Sequence, residues 1–317
     1  MKPALLVLGY ALVVAWCLPA LLTRLTVAGL SARLGLAAWL AAMVSVLASL
    51  LAALQYLFTA AVAGWPQLAE AVCRSVAGGA CTTVVYRSAA FELGLGLAAV
   101  AAALALAVLA WRYGRSVQRA QRRTRAHAEA ARITGRRLPG AGAAVVLNAA
   151  QPAAYCVPGR PAAIVLTSAA LAVLDPGQLN AVLAHERAHL AGRHHLLIAL
   201  TRALAATFPG VPLFTRAPAE VARLAEMCAD DAAARRSSRP TLIAALLAMG
   251  TGTAVPAAAL AATTCAVSAR VQRLLEPAPP ARHARNRLAL VTVMLLLAVV
   301  SGLVTRYAGP LAAYGWS

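Results

Sequence analysis

The chain has 317 residues, a formal net charge of +19 and 61% hydrophobic residues, with a mean hydropathy of +0.73. This composition excludes an ordinary soluble globular protein and indicates a membrane protein. All its basic residues are arginines except Lys2. In a membrane protein, arginine-rich loops mark the cytoplasmic side more often than a nucleic-acid-binding surface. We therefore expect the lipid bilayer as a partner and no direct contact with nucleic acid.

Four apolar runs are long enough to cross a membrane as helices. They cover approximately 4–22, 34–63, 93–109 and 288–304. The first run lacks a small-residue cleavage site and is followed by further runs, which favours a membrane helix over a removed signal peptide. We expect Trp65-Pro66 to end the second helix and residues 65–90 to form a loop.

The distribution of arginines predicts the orientation. Nine arginines lie between residues 112 and 137, which places segment 112–287 in the cytoplasm by the positive-inside rule. The predicted organisation is a membrane domain with three spans at 1–111, a cytoplasmic domain at 112–287, and a fourth span with an outside tail at 288–317. The 65–90 loop then lies outside, where Cys73 and Cys81 either form a disulfide or remain unpaired.

Three short apolar runs follow the arginine-rich segment, which itself is expected to be a helix leaving the membrane. The runs at 143–148, 153–157 and 163–167 are typical of β-strands, with a turn at Pro158-Gly159. We expect a small sheet directly before the next helix. An edge strand of such a sheet can pair with an extended peptide backbone.

That next helix carries the most informative motif of the chain. Asp175 is expected to cap it, with Pro176 at the first helical position and Gln178 at the capping-box position. The sequence His185-Glu186-x-x-His189 follows. Positions four apart lie on one helical face, so both imidazoles can bind one metal ion, and Glu186 can reach a water molecule on its open side.

A third protein ligand is needed, and two residues compete for the position. His195, three residues after Gly192, has the metzincin spacing. Glu226 offers a carboxylate from a later helix, as in a His₂Glu site. We favour Glu226, because the apolar run 196–200 continues the helix after the glycine and leaves no room for a metzincin bend. His194 and His195 are then expected on a helix surface.

Arginines near the fourth span have two readings. A cation close to the metal can stabilise an oxyanion, and Arg270 or Arg273 could serve. We interpret both as positively charged flanks of the fourth span. The sequence does not select an oxyanion donor.

Together these motifs resemble the membrane-embedded gluzincins, most closely the antibiotic-sensor signal-transducer metallopeptidases of the BlaR and MecR type and more distantly the HtpX-type membrane proteases. The resemblance rests on the metal-helix motif and on Glu226-x-x-x-Asp230 and covers residues 143–240. It implies that Asp230, or Asp231 in the alternative register, orients a ligand histidine. Only a short tail follows the last span, where the sensor proteins carry a penicillin-binding domain, so we do not expect direct β-lactam sensing.

We predict a multi-pass α-helical membrane protein with four transmembrane helices and a cytoplasmic α+β zincin (gluzincin) protease domain. Zn²⁺ is expected on His185, His189 and Glu226, with Glu186 as general base and then acid. Its substrates would be cytoplasmic or membrane-proximal proteins. Regulatory cleavage of a transcriptional repressor and quality control of membrane proteins both remain open. So do a non-catalytic membrane sensor with structural zinc and a membrane-tethered adaptor that binds nucleic acid.

Overall fold

The computed structural model describes residues 2–76, 83–139, 141–157, 159, 162–251 and 267–314. Within this part the protein is mostly helical and contains one small sheet. The helices are α1 (Lys2–Thr26), α2 (Ala32–Val76), α3 (Thr83–Thr134), α4 (Ser168–Val173), α5 (Pro176–Ala191), α6 (His194–Thr207), α7 (Pro212–Arg236), α8 (Arg239–Thr251), a helical segment at 267–275 (α9) and α10 (Pro280–Tyr314).

Four of these helices are long and apolar enough to cross a membrane. The candidate spans are Ala4–Thr26, Ala32–Ala61, Leu93–Arg119 and Pro280–Leu303. They include all four apolar runs predicted from the sequence, apart from the last residue or two of the second and fourth runs. The side of the membrane on which each connecting segment lies stays a prediction.

The connection between the second and third spans differs from expectation. α2 continues through Trp65 and Pro66 to Val76, and α3 begins at Thr83, so the expected break at Trp65-Pro66 is wrong. A proline removes one backbone hydrogen bond but does not have to end a membrane helix, because other groups can satisfy the freed carbonyl. The possible Cys73–Cys81 disulfide lies outside the residues that the structure describes in full.

The small sheet has four strands in the order β1-β2-β4-β3. Its strands are β1 (Arg136–Arg137), β2 (Ala144–Leu147), β3 (Ala154–Val157) and β4 (Ala163–Thr167). The three predicted strands are confirmed within a residue or two of their ends, while β1 was not foreseen. β4 is buried along its whole length, pairs in parallel with β2 and antiparallel with β3. β3 therefore forms an edge of the sheet.

One face of the sheet packs on the metal-motif helix. Ile164 and Leu166 of β4 share a buried cluster with Val182 and Leu183 of α5 and with Ala245 of α8. β-branched and leucine side chains at alternate strand positions bury one face of a sheet, which explains this contact. The sheet thus fixes the position of α5 from one side.

Helix α7 packs against the membrane helices. Its residues Leu213, Phe214, Val221 and Leu224 are fully buried or nearly so and belong to the same cluster as Trp39 of α2. This cluster also includes residues of α1 and α10. The helix that follows the apolar α6 is therefore part of the same core as the candidate spans.

Hydrogen bonds reinforce this junction at the end of α1. The Arg223 guanidinium of α7 donates to the carbonyl oxygens of Thr26 and Val27 at 3.0 and 3.2 Å. Asn286 of α10 donates to the carbonyl of Leu25 at 2.7 Å. The last carbonyls of a helix have no partner within the helix, so side chains from two other helices satisfy them here.

Candidate metal centre

The site begins with a well-defined helix start. Asp175 accepts a hydrogen bond from the Gln178 backbone at 2.8 Å, and the Gln178 side chain accepts one from the Asp175 backbone at 3.2 Å. This is the predicted capping box, with Pro176 in the first turn. Since the start fixes the register of α5, it also fixes the face on which His185 and His189 lie.

Three side chains from two helices converge on one point. The Nε2 atoms of His185 and His189 lie 3.1 Å apart. Glu226 of α7 places Oε2 at 3.4 Å from His185 Nε2 and Oε1 at 3.4 Å from His189 Nε2. In tetrahedral zinc sites, bonds of about 2.0–2.1 Å put neighbouring ligand atoms about 3.3 Å apart. The spacing of this group therefore fits a zinc ion.

The chemistry of the three side chains also fits. Two imidazoles and one carboxylate are the donor set of many catalytic zinc sites, which leave one further position open. Among the residues that the structure describes, this is the one group of three or more metal-binding side chains, and it contains no fourth member. His195, the alternative to Glu226, is not in it.

Behind the three residues, Asp230 connects His185 to an arginine. Asp230 is fully buried, and its Oδ1 lies 3.1 Å from His185 Nδ1. The Arg270 guanidinium of α9 donates to both carboxylate oxygens of Asp230, at 2.8 and 2.6 Å, and lies 3.1 Å from Glu226 Oε2. A carboxylate at Nδ1 favours the tautomer that leaves Nε2 free for a metal.

The position of Arg270 was not foreseen from the sequence. We had interpreted it as a flank of the fourth span, yet its side chain is only 15% exposed and contacts two carboxylates of the site. Arg273, one turn further on, instead pairs with Asp231 at 2.6 Å. The two arginines thus separate the two aspartates, and only Asp230 contacts a histidine of the group.

A second unforeseen contact involves His194. The expected continuous helix is wrong: α5 ends at Ala191, and α6 begins at His194 after Arg193 adopts a left-handed φ of 49°. This turn buries His194 and brings its Nδ1 to 3.0 Å from His189 Nδ1. A Cβ atom on Gly192 would lie 2.3 Å from His194 Nε2. Glycine at 192 is therefore required for the close approach of this ring.

The electrostatics of the group favour one positive charge. Burial opposes charge on His185, but hydrogen bonds to Asp230 and Glu226 outweigh it and raise its pKa to about 9. Burial lowers the pKa of His189 to about 4. For Glu226, burial is outweighed by the His185 hydrogen bond and the Arg270 charge, which lower its pKa to about 2. An anionic carboxylate and a neutral His189 are the states that a metal ion requires.

Glu186 lies beside this group and close to the edge strand. Its side chain is buried, and burial raises its pKa, while the positive charge of His185 opposes the shift. A hydrogen bond from the Cys156 backbone of β3 also lowers it. A buried carboxylate with a raised pKa is suited to exchanging a proton near neutral pH. The structure thus places the predicted base between α5 and β3.

A helix that presents two histidines, a carboxylate from a second helix and a buried glutamate next to the first histidine is the arrangement of a zincin-type metallopeptidase. The sequence comparison agrees with this class. The chain belongs to peptidase family M48, whose family model matches residues 115–278, which is more than half of the chain. The matched region contains all five predicted site residues. No curated protein and no solved structure matched the chain.

Proposed function

We propose that this metallopeptidase is a multi-pass membrane zinc endopeptidase with a cytoplasmic site, which hydrolyses peptide bonds of cytoplasmic or membrane-proximal proteins. The observation that carries the proposal is the triangle of His185, His189 and Glu226 with Glu186 beside it. The four apolar helices support the membrane location. The arginines at 112–137 support the orientation.

The chain supplies the ligands and the proton carrier. His185, His189 and Glu226 would hold the ion. When bound, zinc supplies Lewis acidity and lowers the pKa of water. Glu186 would take a proton from the attacking water at its carboxylate and deliver it to the leaving amine. Asp230 would keep the Nδ1 proton of His185 in place, and Arg270 would keep Asp230 and Glu226 ionised.

The edge strand offers a place for the substrate backbone. The backbone N–H of Thr167 in β4 donates to the Ala153 carbonyl at 3.0 Å. Hydrogen-bonded and non-bonded pairs alternate along an antiparallel ladder, so Ala154 and Cys156 direct their main-chain groups away from β4. Cys156 is also the residue whose backbone reaches Glu186. An extended substrate pairing with β3 would therefore run past the proposed base.

The substitution Glu186→Gln tests the enzymatic proposal. Glu186 is not one of the three clustered side chains, so the variant should keep its zinc. It should lose about 10²–10⁴-fold in peptide cleavage, because the general base is removed. Glu129→Gln is the matched control, since Glu129 is exposed on α3. Zinc content and cleavage of a co-expressed protein, or of the chain itself, are measured on the same samples.

Undiminished cleavage by the zinc-loaded Glu186→Gln protein would refute the mechanism. Absence of cleavage in the unaltered zinc-loaded protein, against every substrate offered, would instead favour the non-catalytic sensor. Regulatory cleavage of a repressor is supported by the resemblance to signal-transducer metallopeptidases. It is tested by co-expressing a repressor encoded next to this gene and following its length.

A further inference from the structure

A cavity of 560 Å³ lies between α2, α5, α6 and α7, apart from the triangle of candidate metal ligands. Four arginines line it, and its lining contains no aspartate or glutamate. They are Arg33, Arg187, Arg235 and Arg236. Its inner wall includes the buried His194 and the side chains of Leu36 and Leu197. The cavity is therefore strongly basic at its rim and partly apolar inside.

The arginines are not neutralised by neighbours in the described part of the chain. Arg33, Arg235 and Arg236 are exposed, and none of them forms a salt bridge with a described carboxylate. Arg187 donates one long hydrogen bond, of 3.4 Å, to the Ala141 carbonyl. A group of like charges around one cavity raises its potential and attracts anions.

Helix dipoles account for only part of this arrangement. Arg235 and Arg236 lie in the last turn of α7, where a cation is favourable. Arg33 lies in the first turn of α2, where a cation is unfavourable. The first turn of α6, which also borders the cavity, has no side-chain cap. Two helix N-termini and a surplus of guanidinium groups together favour a bound anion.

The position of the cavity indicates the source of the anion. Arg33 and Leu36 belong to the first turns of the candidate span Ala32–Ala61, so the cavity lies at the level where this span would leave the bilayer. The apolar wall at Leu36 and Leu197 suits the first carbons of an acyl chain or glycerol group. A free inorganic anion would leave this wall in contact with water.

The cavity does not face the proposed substrate path. Its lining residues on α5 are 184, 187, 188 and 191, which share one helical face. Glu186 lies two positions after 184, about 200° around the helix. An acidic substrate segment on β3 would therefore lie on the other side of α5.

We propose that this cavity binds the phosphate group of an anionic phospholipid, with Arg33, Arg235 and Arg236 as its main contacts. The inference rests on the proposed membrane insertion of α2. The bound headgroup would lie against His194, whose ring contacts His189. The site would thus fix the lipid-facing end of α2 against the helices of the metal centre.

The test uses the full-length protein, freed of lipid in a non-ionic detergent and titrated with phosphatidylglycerol. Native mass spectrometry counts bound lipids and gives the affinity of the first one. Each arginine near an anionic surface contributes about fivefold in affinity, so Arg33→Gln with Arg235→Gln should weaken it about 25-fold. The matched control is Arg202→Gln with Arg216→Gln, two exposed arginines outside the cavity, which should leave the first affinity unchanged.

Further arms separate the alternatives. Arg33→Lys with Arg235→Lys keeps the charge and should retain binding within a fewfold, which excludes loss of folding as the cause. Equal affinity for phosphatidylcholine, or an equal loss in the control pair, would overturn the site. Displacement of the lipid by an equal concentration of inorganic phosphate would overturn the assignment to lipid. Extraction of the protein from membranes by alkaline carbonate would instead overturn membrane insertion, whatever the lipid titration shows.

Discussion

Asp230 and Asp231 are adjacent acidic residues with opposite environments, and exchanging each for asparagine tests the architecture of the metal centre. Asp230 is fully buried and contacts both Arg270 and His185. Asp231 is 35% exposed and pairs with Arg273. Asparagine keeps the size of the side chain but removes the charge. The two substitutions therefore differ in environment and not in chemistry.

The structure predicts a large effect for Asp230→Asn. Loss of a group that orients a metal ligand typically lowers metal affinity about 10–100-fold. The change also leaves the Arg270 guanidinium buried with a weakened partner, and breaking a buried ion pair costs about 3–5 kcal/mol of unfolding free energy. For the partly exposed Asp231 pair, about 0–1 kcal/mol is expected, with little change in metal affinity.

Competition with a zinc chelator measures the affinity, and thermal unfolding of the metal-free proteins measures the stability. Both variants are prepared in the same detergent as the unaltered protein. If Asp231→Asn loses as much zinc affinity as Asp230→Asn, the placement of Asp230 behind His185 is not what holds the ligand. An unchanged zinc affinity in Asp230→Asn would lead to the same conclusion.

Three further outcomes are expected. Glu226→Gln should weaken zinc retention far more than His195→Ala, because only Glu226 lies within reach of both clustered histidines; the reverse order would favour a metzincin-like site. Because the pKa of His185 is raised to about 9 and that of its partner histidine lowered to about 4, the empty site should hold one proton near neutral pH. Zinc must displace this proton, so affinity should rise about tenfold per pH unit between about pH 5 and 8, and a pH-independent titration would contradict this. A reporter fused after residue 140 should be cytoplasmic and one at the C-terminus external; the opposite result at either position would overturn the orientation.

Local signals in the sequence located much of this structure. The capping box at Asp175 and the spacing of His185 and His189 depend on residues within one or two turns of helix, and both are present as predicted. The strand runs were recognisable because buried β-branched residues are unusual in the alanine-rich background. Apolar length alone was enough to find the four candidate spans.

The remaining features depend on contacts that the sequence does not display. Arg270 meets Asp230 across 40 residues, and nothing in its immediate neighbourhood distinguishes it from the other arginines. His194 appeared to belong to a continuing helix because the residues after it are apolar. The break at Gly192-Arg193 is stabilised by the contact between His194 and His189. Only Gly192, which tolerates a close neighbour, was a visible signal.

The sharing of α7 between two parts of the protein has a consequence for its biosynthesis. The first half of α7 packs on α1 and α2, and its second half carries Glu226 and Asp230. α1 and α2 are synthesised first and would already be in the bilayer when α7 emerges. A fragment made of 112–287 alone would lack this platform and would expose Leu213, Phe214 and Val221 to water. We therefore expect the excised fragment to aggregate, and the metal centre to mature only on a chain whose first two helices have already inserted.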